Sequence, residues 1–300
     1  MRIVSIINQK GGCGKTTTAI NLSACLARLK RRVLLVDLDP QGHASLGLNL
    51  RPETLTKGMT DVLTQGAYLD DVICESISPD LDVAPANITL SAAEPLLANA
   101  FQKERRLLTA IQAMKRSYDY IIIDSPPSLG LLTFNALRAS DEAIVPIEMG
   151  FFSLHGLAKL TEIVEVLGRH TGHRVTIFAL ATMVNLRAQF TREVIAEIQR
   201  HFGSRVFKTL VRNNIRLREA ASHGVPVVEY DFESNGASDY ASLAGEVIAL
   251  EKVDSVAPTI GAPVPDQPVL EAEKYLGPIL VEDVMTDPTR ASIYKSGANG

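Results

Sequence analysis

The sequence predicts an α/β fold, a doubly wound, mostly parallel sheet flanked by helices. Three observations predict it. Apolar runs rich in isoleucine and valine, without polar alternation, recur along the chain, as strands buried on both faces require. Helical patterns separate these runs, as expected for parallel strands joined by crossovers. One glycine-rich turn also falls between a buried strand and a helix, where a phosphate-binding loop belongs. The chain has 300 residues, 46% of them hydrophobic, which is ample for one large core and one or two domains.

The elements follow in order. RIVSII (2–7) is the first strand, and the glycine turn comes directly after it. Residues 16–30 read as an amphipathic helix and RRVLLVD (31–37) as a second buried strand. DLDVAPA (80–86) holds a short third strand, and 102–116 looks helical. YDYIIID (118–124), EAIVPI (142–147) and VTIFALATMV (175–184) are further strands, with helices between and after them. Residues 245–252 complete the last helix. Ligands of such sheets sit at the carboxyl ends of the strands. The loops after Ile7, Asp37 and Asp124 are therefore expected to be neighbours.

From residue 253 the composition changes. Six prolines, seven acids and three bases fall in the last 48 residues. The expected domains are an α/β unit at 1–252 and an acidic, proline-rich, largely disordered tail at 253–300. The tail accounts for the whole net charge of -4, so residues 1–252 balance to zero and can still hide a basic face. No apolar run reaches the ~20 residues of a membrane span. The apolar strand at the N-terminus leaves no room for a signal peptide. Three scattered cysteines imply neither a disulfide framework nor a metal site, and they fit a reducing cytoplasm.

NQKGGCGKTTTAINL (8–22) departs from the usual G-x-x-x-x-G-K-[ST] pattern. Gln9 stands where the first glycine should be, and a second lysine, Lys10, precedes Gly11 and Gly12. Backbone N–H groups of Gly11, Gly12, Cys13 and Gly14 can curl around phosphate oxygens, and the helix N-terminus adds partial positive charge. Lys15 reaches the outer phosphates, the Thr16 hydroxyl suits Mg²⁺, and Thr17 suits an inner phosphate. VLLVDLDPQG ends a strand with Asp37 and Asp39, and IIIDSPPS ends another with Asp124. A carboxylate beside bound phosphates either holds Mg²⁺ through water or orients the attacking water. Any one acid could merely cap a turn. Three at one predicted edge are harder to explain that way.

NQKGGCGKTTTAINL, VLLVDLDPQGHAS, YDYIIIDSPPSLGLLTFNAL and VRNNIRLREAASHGVPVVEYD together resemble the ParA family of deviant Walker ATPases. The resemblance runs in order over about residues 2–251. It implies ATP and Mg²⁺ as cofactors and a homodimer formed on ATP binding. Lys10 matches the family's signature lysine, which reaches the partner's ATP across a nucleotide sandwich. Lys15 then serves the chain's own nucleotide. Asp39 matches the acid that positions the hydrolytic water, Asp124 the Walker B acid, and Asp37 supports the Mg²⁺ shell. The family's Pro-Arg-Asn reads Arg212-Asn213-Asn214 here, which leaves Asn213 as the candidate nucleotide contact in that loop. Position 13 is usually valine or another small residue. As a thiol at a helix N-terminus between lysines, Cys13 is expected either to have a lowered pKa or simply to be a tolerated small residue.

Eight bases between residues 185 and 220 face only three acids, Glu193, Glu197 and Glu219. They read either as a solvated helix face or as a surface tracking DNA phosphates. No aromatic residues interleave and no recognition helix is visible, so any DNA binding should be non-specific and salt-sensitive. The resemblance points to Arg187 and Arg216, with Arg212 and Arg218 as further candidates. It also implies a ParB-like or other cargo adaptor, and a cytoplasmic, nucleoid-associated protein. Stable membrane association is not expected, since a MinD-like relative needs a basic amphipathic C-terminal helix and the tail is acidic. An iron-sulfur relative lacks its paired cysteines. An accessory ATPase of a secretion or polysaccharide system differs mainly in cargo. The first strand begins at residue 2, which argues against the larger plasmid type with an N-terminal helix-turn-helix.

Overall fold

The computed structural model describes residues 1–251. The predicted tail, and Lys252 at the end of the predicted last helix, lie outside them. The elements run β1 (Arg2–Ile6), α1 (Lys15–Arg28), β2 (Val33–Asp37), α2 (His43–Leu46), β3 (Cys74–Ser78), β4 (Leu81–Ala84), α3 (Ala93–Leu97), α4 (Arg106–Ala113) and β5 (Tyr120–Asp124). They continue with α5 (Leu131–Ala139), β6 (Glu142–Glu148), α6 (Phe151–Thr171), β7 (Thr176–Val184), α7 (Gln189–Phe202), β8 (Val206–Arg212), α8 (Ile215–Ser222), α9 (Val227–Tyr230) and α10 (Asn235–Leu250).

Eight strands form one sheet in the order β3-β4-β2-β5-β1-β6-β7-β8. Every pairing is parallel except the antiparallel β3–β4 edge. Successive residues of a strand point to opposite faces, and here both faces are covered. Val33, Leu35, Tyr120 and Ile122 join one core with α1 and α10. Leu34, Val36, Ile121 and Ile123 join the other, with Leu107 and Ile111 of α4 and Leu132 and Ala136 of α5. Each of these valine, leucine and isoleucine side chains contributes about 1.5–3 kcal/mol by its burial. The expected doubly wound fold is therefore the observed one.

The differences are local. The predicted helix at 102–116 shortens to Arg106–Ala113. Gln102 is left-handed at φ 49. Met114 is extended, and the Asp70 carboxylate accepts the N–H groups of Lys115 and Arg116, drawing the chain out of the helix. Strands β3 and β8 were not foreseen. Both are edge strands whose runs, CESIS and VFKTLV, are broken by polar residues. The β8 edge is blunted by Glu246, whose carboxylate accepts from the N–H groups of Lys208 and Thr209.

The candidate nucleotide site

Parallel register brings the acids together. Ile6 of β1 pairs with Asp124 of β5, and Asp124 pairs with Asp37 of β2. The chain then reverses into the loop at 7–14, so the glycine loop and both acids share the carboxyl edge of the three central strands. Strand order also reverses around β1, where ligands of such sheets bind.

Gly12 and Gly14 have φ +75 and +94, a left-handed conformation that favours glycine. Gly14 precedes α1 without a side-chain cap, and no acid stands in the first turn. The N–H groups at this helix start are thus available to an anion. The loop is braced from outside: the Thr182 hydroxyl donates to the Cys13 carbonyl at 2.8 Å, and the Asn8 amide donates to the Pro146 carbonyl at 2.7 Å. Lys15 is buried, and its ammonium donates to the Lys10 carbonyl at 3.2 Å. Lys10 pairs with Glu148 at 2.5 Å, with both side chains partly exposed.

Cys13 is fully buried, and its thiol lies 3.2 Å from the Lys10 carbonyl oxygen. Burial raises its pKa, outweighing the opposing pull of Lys15 and Lys10. The expectation of a lowered pKa is thereby corrected: desolvation wins over the positive neighbours. The small-residue reading remains.

The three acids differ in how they are held. Asp37 accepts from Asp39 N–H at 3.1 Å, Ser45 N–H at 2.8 Å and the Ser45 hydroxyl at 2.7 Å. Complete burial raises its pKa to about 6, although those hydrogen bonds and the Ser45 contacts oppose the shift. Asp39, also buried, accepts the Gln41 N–H at 3.0 Å. Asp124 is fully buried, and neither carboxylate oxygen has a hydrogen-bond partner. Burial, then the charge of Asp37, pushes its pKa well above the carboxylate range. Thr16 and Lys15 lie on the side that favours its charged form, but no hydrogen bond of normal geometry reaches either oxygen. A buried carboxylate left this way is costly unless a cation joins it. Thr16 and Asp124 therefore fit a Mg²⁺ ion that keeps most of its water.

Two cavities border the start of α1. One of about 360 Å³ is lined by Thr16, Thr17, Asn21, His43 and Leu217 among others. A smaller one, about 60 Å³, is lined by Gly14, Thr17, Met183, Asn213, Arg218 and Tyr240 among others. Asn213 is thus beside the phosphate loop, with its N–H on the Val184 carbonyl at 3.1 Å. Met183 between them has φ +53, a strained conformation for a side-chain-bearing residue.

The basic stretch is not one helical face. It runs through α7, β8 and α8. Arg187 follows β7 and is exposed, as are Arg216 and Arg218 on α8. These three lie beyond the carboxyl ends of β7 and β8, on the edge that holds the phosphate loop. Arg216 pairs with Glu219 at 2.7 Å and Asp231 at 3.1 Å. Arg212 turns onto Asp239, through its N–H at 2.9 Å and its guanidinium at 2.5 Å. Arg205 lies at the opposite edge, in a cavity with Arg2, Asp141 and Glu142. Sequence reasoning missed Ser45, Glu148 and Thr182, which hold Asp37, Lys10 and the loop. Only Glu148 carried a signal, as a polar residue at the end of β6.

The family model described as an AAA domain matches residues 1–177. The sporulation initiation inhibitor protein Soj of Bacillus subtilis is 45% identical over 249 residues, 83% of this chain and 98% of that one. The chromosome partitioning protein ParA of Myxococcus xanthus is 40% identical over 248 residues, 82% of this chain and 88% of that one. Among solved structures, cobyrinic acid a,c-diamide synthase from Mycobacterium smegmatis, with bound ATP analog and magnesium, superposes with TM-score 0.75. It is 28% identical, covering 87% of this chain and all of that one. The fold is thus shared with an enzyme named for another activity, and what narrows the assignment is identity along nearly the whole length of Soj and ParA: the chain belongs to the ParA family of the ParA/MinD superfamily.

Proposed function

We propose that this chain is a ParA-type ATPase that positions a cargo by cycling between an ATP-bound dimer on non-specific DNA and a released ADP form. The observation that carries the proposal is Asp124, a buried, unpartnered carboxylate beside Asp37 and at the foot of an uncapped phosphate loop. Gly11 to Gly14 and the first turn of α1 bind the phosphates, and Lys15 neutralises their outer charge. Asn213 and the cavity around it take the rest of the nucleotide. Thr16 and Asp124 would hold Mg²⁺, which would supply screening of phosphate charge when bound.

Asp37 has a different task. Both of its oxygens are engaged by Ser45 and Asp39 N–H, so it fixes the turn from which Asp39 projects. Asp39 then orients the attacking water. Lys10 is held to Glu148 by a partly exposed pair, a contact worth no more than ~1 kcal/mol. It is released cheaply to reach the nucleotide of a second copy. Two facing nucleotides concentrate negative charge that an added cation offsets.

Arg187, Arg216 and Arg218 contact DNA phosphates, and dimerisation doubles the patch so that binding follows ATP. Arg212 is tied to Asp239 and contributes less. A cargo-bound adaptor of the ParB kind stimulates hydrolysis. No described helix is long and apolar enough to cross a membrane, and a cytoplasmic, nucleoid-associated protein is the expectation. Sedimentation with ATP and Mg²⁺ tests the dimer step. Wild type should dimerise, Lys15→Ala should fail to bind nucleotide, and Lys10→Ala should bind it as a monomer. A Lys10→Ala variant that dimerises as wild type does would overturn the role given to Lys10.

A further inference from the structure

We propose that Glu94 is a positioning residue that pins the loop following Asp124, and that Gly130 is glycine because the Glu94 carboxylate occupies the space a Cβ would need. The proposal rests on the ATP-hydrolysis reading of the site and adds a residue to it.

Residues 125–130 connect β5 to α5 at the edge that holds the phosphate loop. The segment opens with Ser125-Pro126-Pro127, and its two prolines bring no N–H donors. Among the described residues, one hydrogen bond ties 125–132 to a different part of the chain: Leu132 N–H donates to Glu94 Oε1 at 3.3 Å. The other bonds are local, from the Thr133 hydroxyl to the Ser128 carbonyl at 2.6 Å and from Phe134 N–H to the Gly130 carbonyl at 3.1 Å.

α5 has no acid in its first turn and no side-chain cap from Gly130. Its first N–H groups lack intrahelical partners, and its N-terminus favours negative charge. Glu94, on α3, supplies from a distance what the local sequence lacks. A Cβ on Gly130 would lie 2.2 Å from Glu94 Oε1 and 3.0 Å from its Cδ. The Gly130 backbone, at φ −98 and ψ −170, is open to any residue. The backbone would accept an alanine, but its Cβ would push the Glu94 carboxylate off its bond to Leu132.

The clamp bears on the chemistry through its neighbours. Leu38 N–H donates to the Asp124 carbonyl at 3.0 Å, so the ends of β2 and β5 are joined where Asp39 and the loop depart. Loosening the loop disturbs groups around the outer phosphate, where a displacement of ~1 Å costs up to about 100-fold in rate. Nucleotide affinity resides in the phosphate loop, which Glu94 does not touch.

The test uses the full chain with Glu94→Ala, Glu94→Gln, Gly130→Ala and the double variant Glu94→Ala/Gly130→Ala. Amide hydrogen exchange at 131–134 is measured without nucleotide. Affinity for a fluorescent ATP analogue and kcat for ATP are measured beside it. Glu94→Ala and Gly130→Ala should each speed exchange at Leu132 and lower kcat by about tenfold, leaving nucleotide affinity nearly unchanged. Glu94→Gln, which can still accept the bond, should restore most of both. The double variant should be no worse than either single one, because collision and lost bond are one event. Multiplying effects in the double variant, unchanged exchange in Glu94→Ala, or affinity falling in step with kcat would each overturn the clamp. If the wild type hydrolyses no ATP, the functional reading fails, while the exchange experiment still decides the clamp.

Discussion

Replacing Asp124 by asparagine should stabilise the nucleotide-free protein while ending hydrolysis. Asp37 keeps three hydrogen bonds and is still pushed to about 6. Asp124 keeps none and is equally buried, and burial, then the charge of Asp37, raises its pKa well above the carboxylate range. A carboxyl whose pKa rises on folding is favoured neutral in the folded state. Its contribution is intact below the unfolded value of 3.8 and is lost as pH climbs towards the folded value. Above 3.8 the cost grows by about 1.4 kcal/mol per pH unit while the folded group stays protonated. Asparagine carries no charge at any pH, so it removes this cost but leaves a buried amide short of partners, at about 1–3 kcal/mol, less than an unpaired buried carboxylate costs. The net gain at pH 8 is on the order of 1 kcal/mol, or about 2–4 °C in Tm. It should shrink as pH falls towards 5. Thermal melts of both proteins in EDTA from pH 5 to 8 are the assay, with a repeat in ATP analogue and Mg²⁺. There the wild type should gain more than the variant, because ligand stabilisation follows affinity. An Asp124→Asn protein no more stable than wild type, or one whose advantage shrinks as pH rises, refutes the reasoning.

Other outcomes follow from the same geometry. Cys13 and Cys25 should resist alkylation in the native protein at pH 8, because burial raises both thiols, Cys25 to about 12. Rapid native labelling of Cys13, found by peptide mapping, would contradict that. Arg212→Ala should cost about 2 kcal/mol in a urea titration, since it strips the buried Asp239 carboxylate of its guanidinium. A DNA-binding defect at unchanged stability would instead return Arg212 to the phosphate-contacting surface. Ser45→Ala should lower kcat with little change in nucleotide affinity, because Asp37 would no longer hold the turn bearing Asp39; kcat equal to wild type would oppose that role.

Legibility in the sequence follows burial. β1, β2, β5, β6 and β7 read as strands because both faces are covered and the runs, though Ser5 and Thr182 interrupt β1 and β7, show no polar alternation. β8 carries Lys208 and Thr209 on an open edge, and β3 is similarly broken, so neither stands out. Gly12, Gly14, Lys15 and Thr16 act through backbone shape and immediate sequence, and they are readable for that reason. Asp37 and Asp124 are readable as acids at strand ends, but their division of labour is not. It depends on Ser45, eight residues from Asp37. Thr182 and Glu94 are invisible for the same reason, reaching their targets across 169 and 38 residues. The charge run from 185 to 220 misleads because strand β8 divides it between two edges of the sheet.

The most direct measurement is binding of the full chain to a non-specific DNA duplex with ATP, ADP or no nucleotide, across a salt series. Lys10→Ala, Arg187→Ala and Arg216→Ala run alongside. Binding is expected only with ATP, weakening steeply with salt, lost in Lys10→Ala and weakened in both arginine variants. Binding that ignores nucleotide, or ATP hydrolysis with no DNA binding at any salt, would contradict a nucleotide-gated DNA-binding dimer.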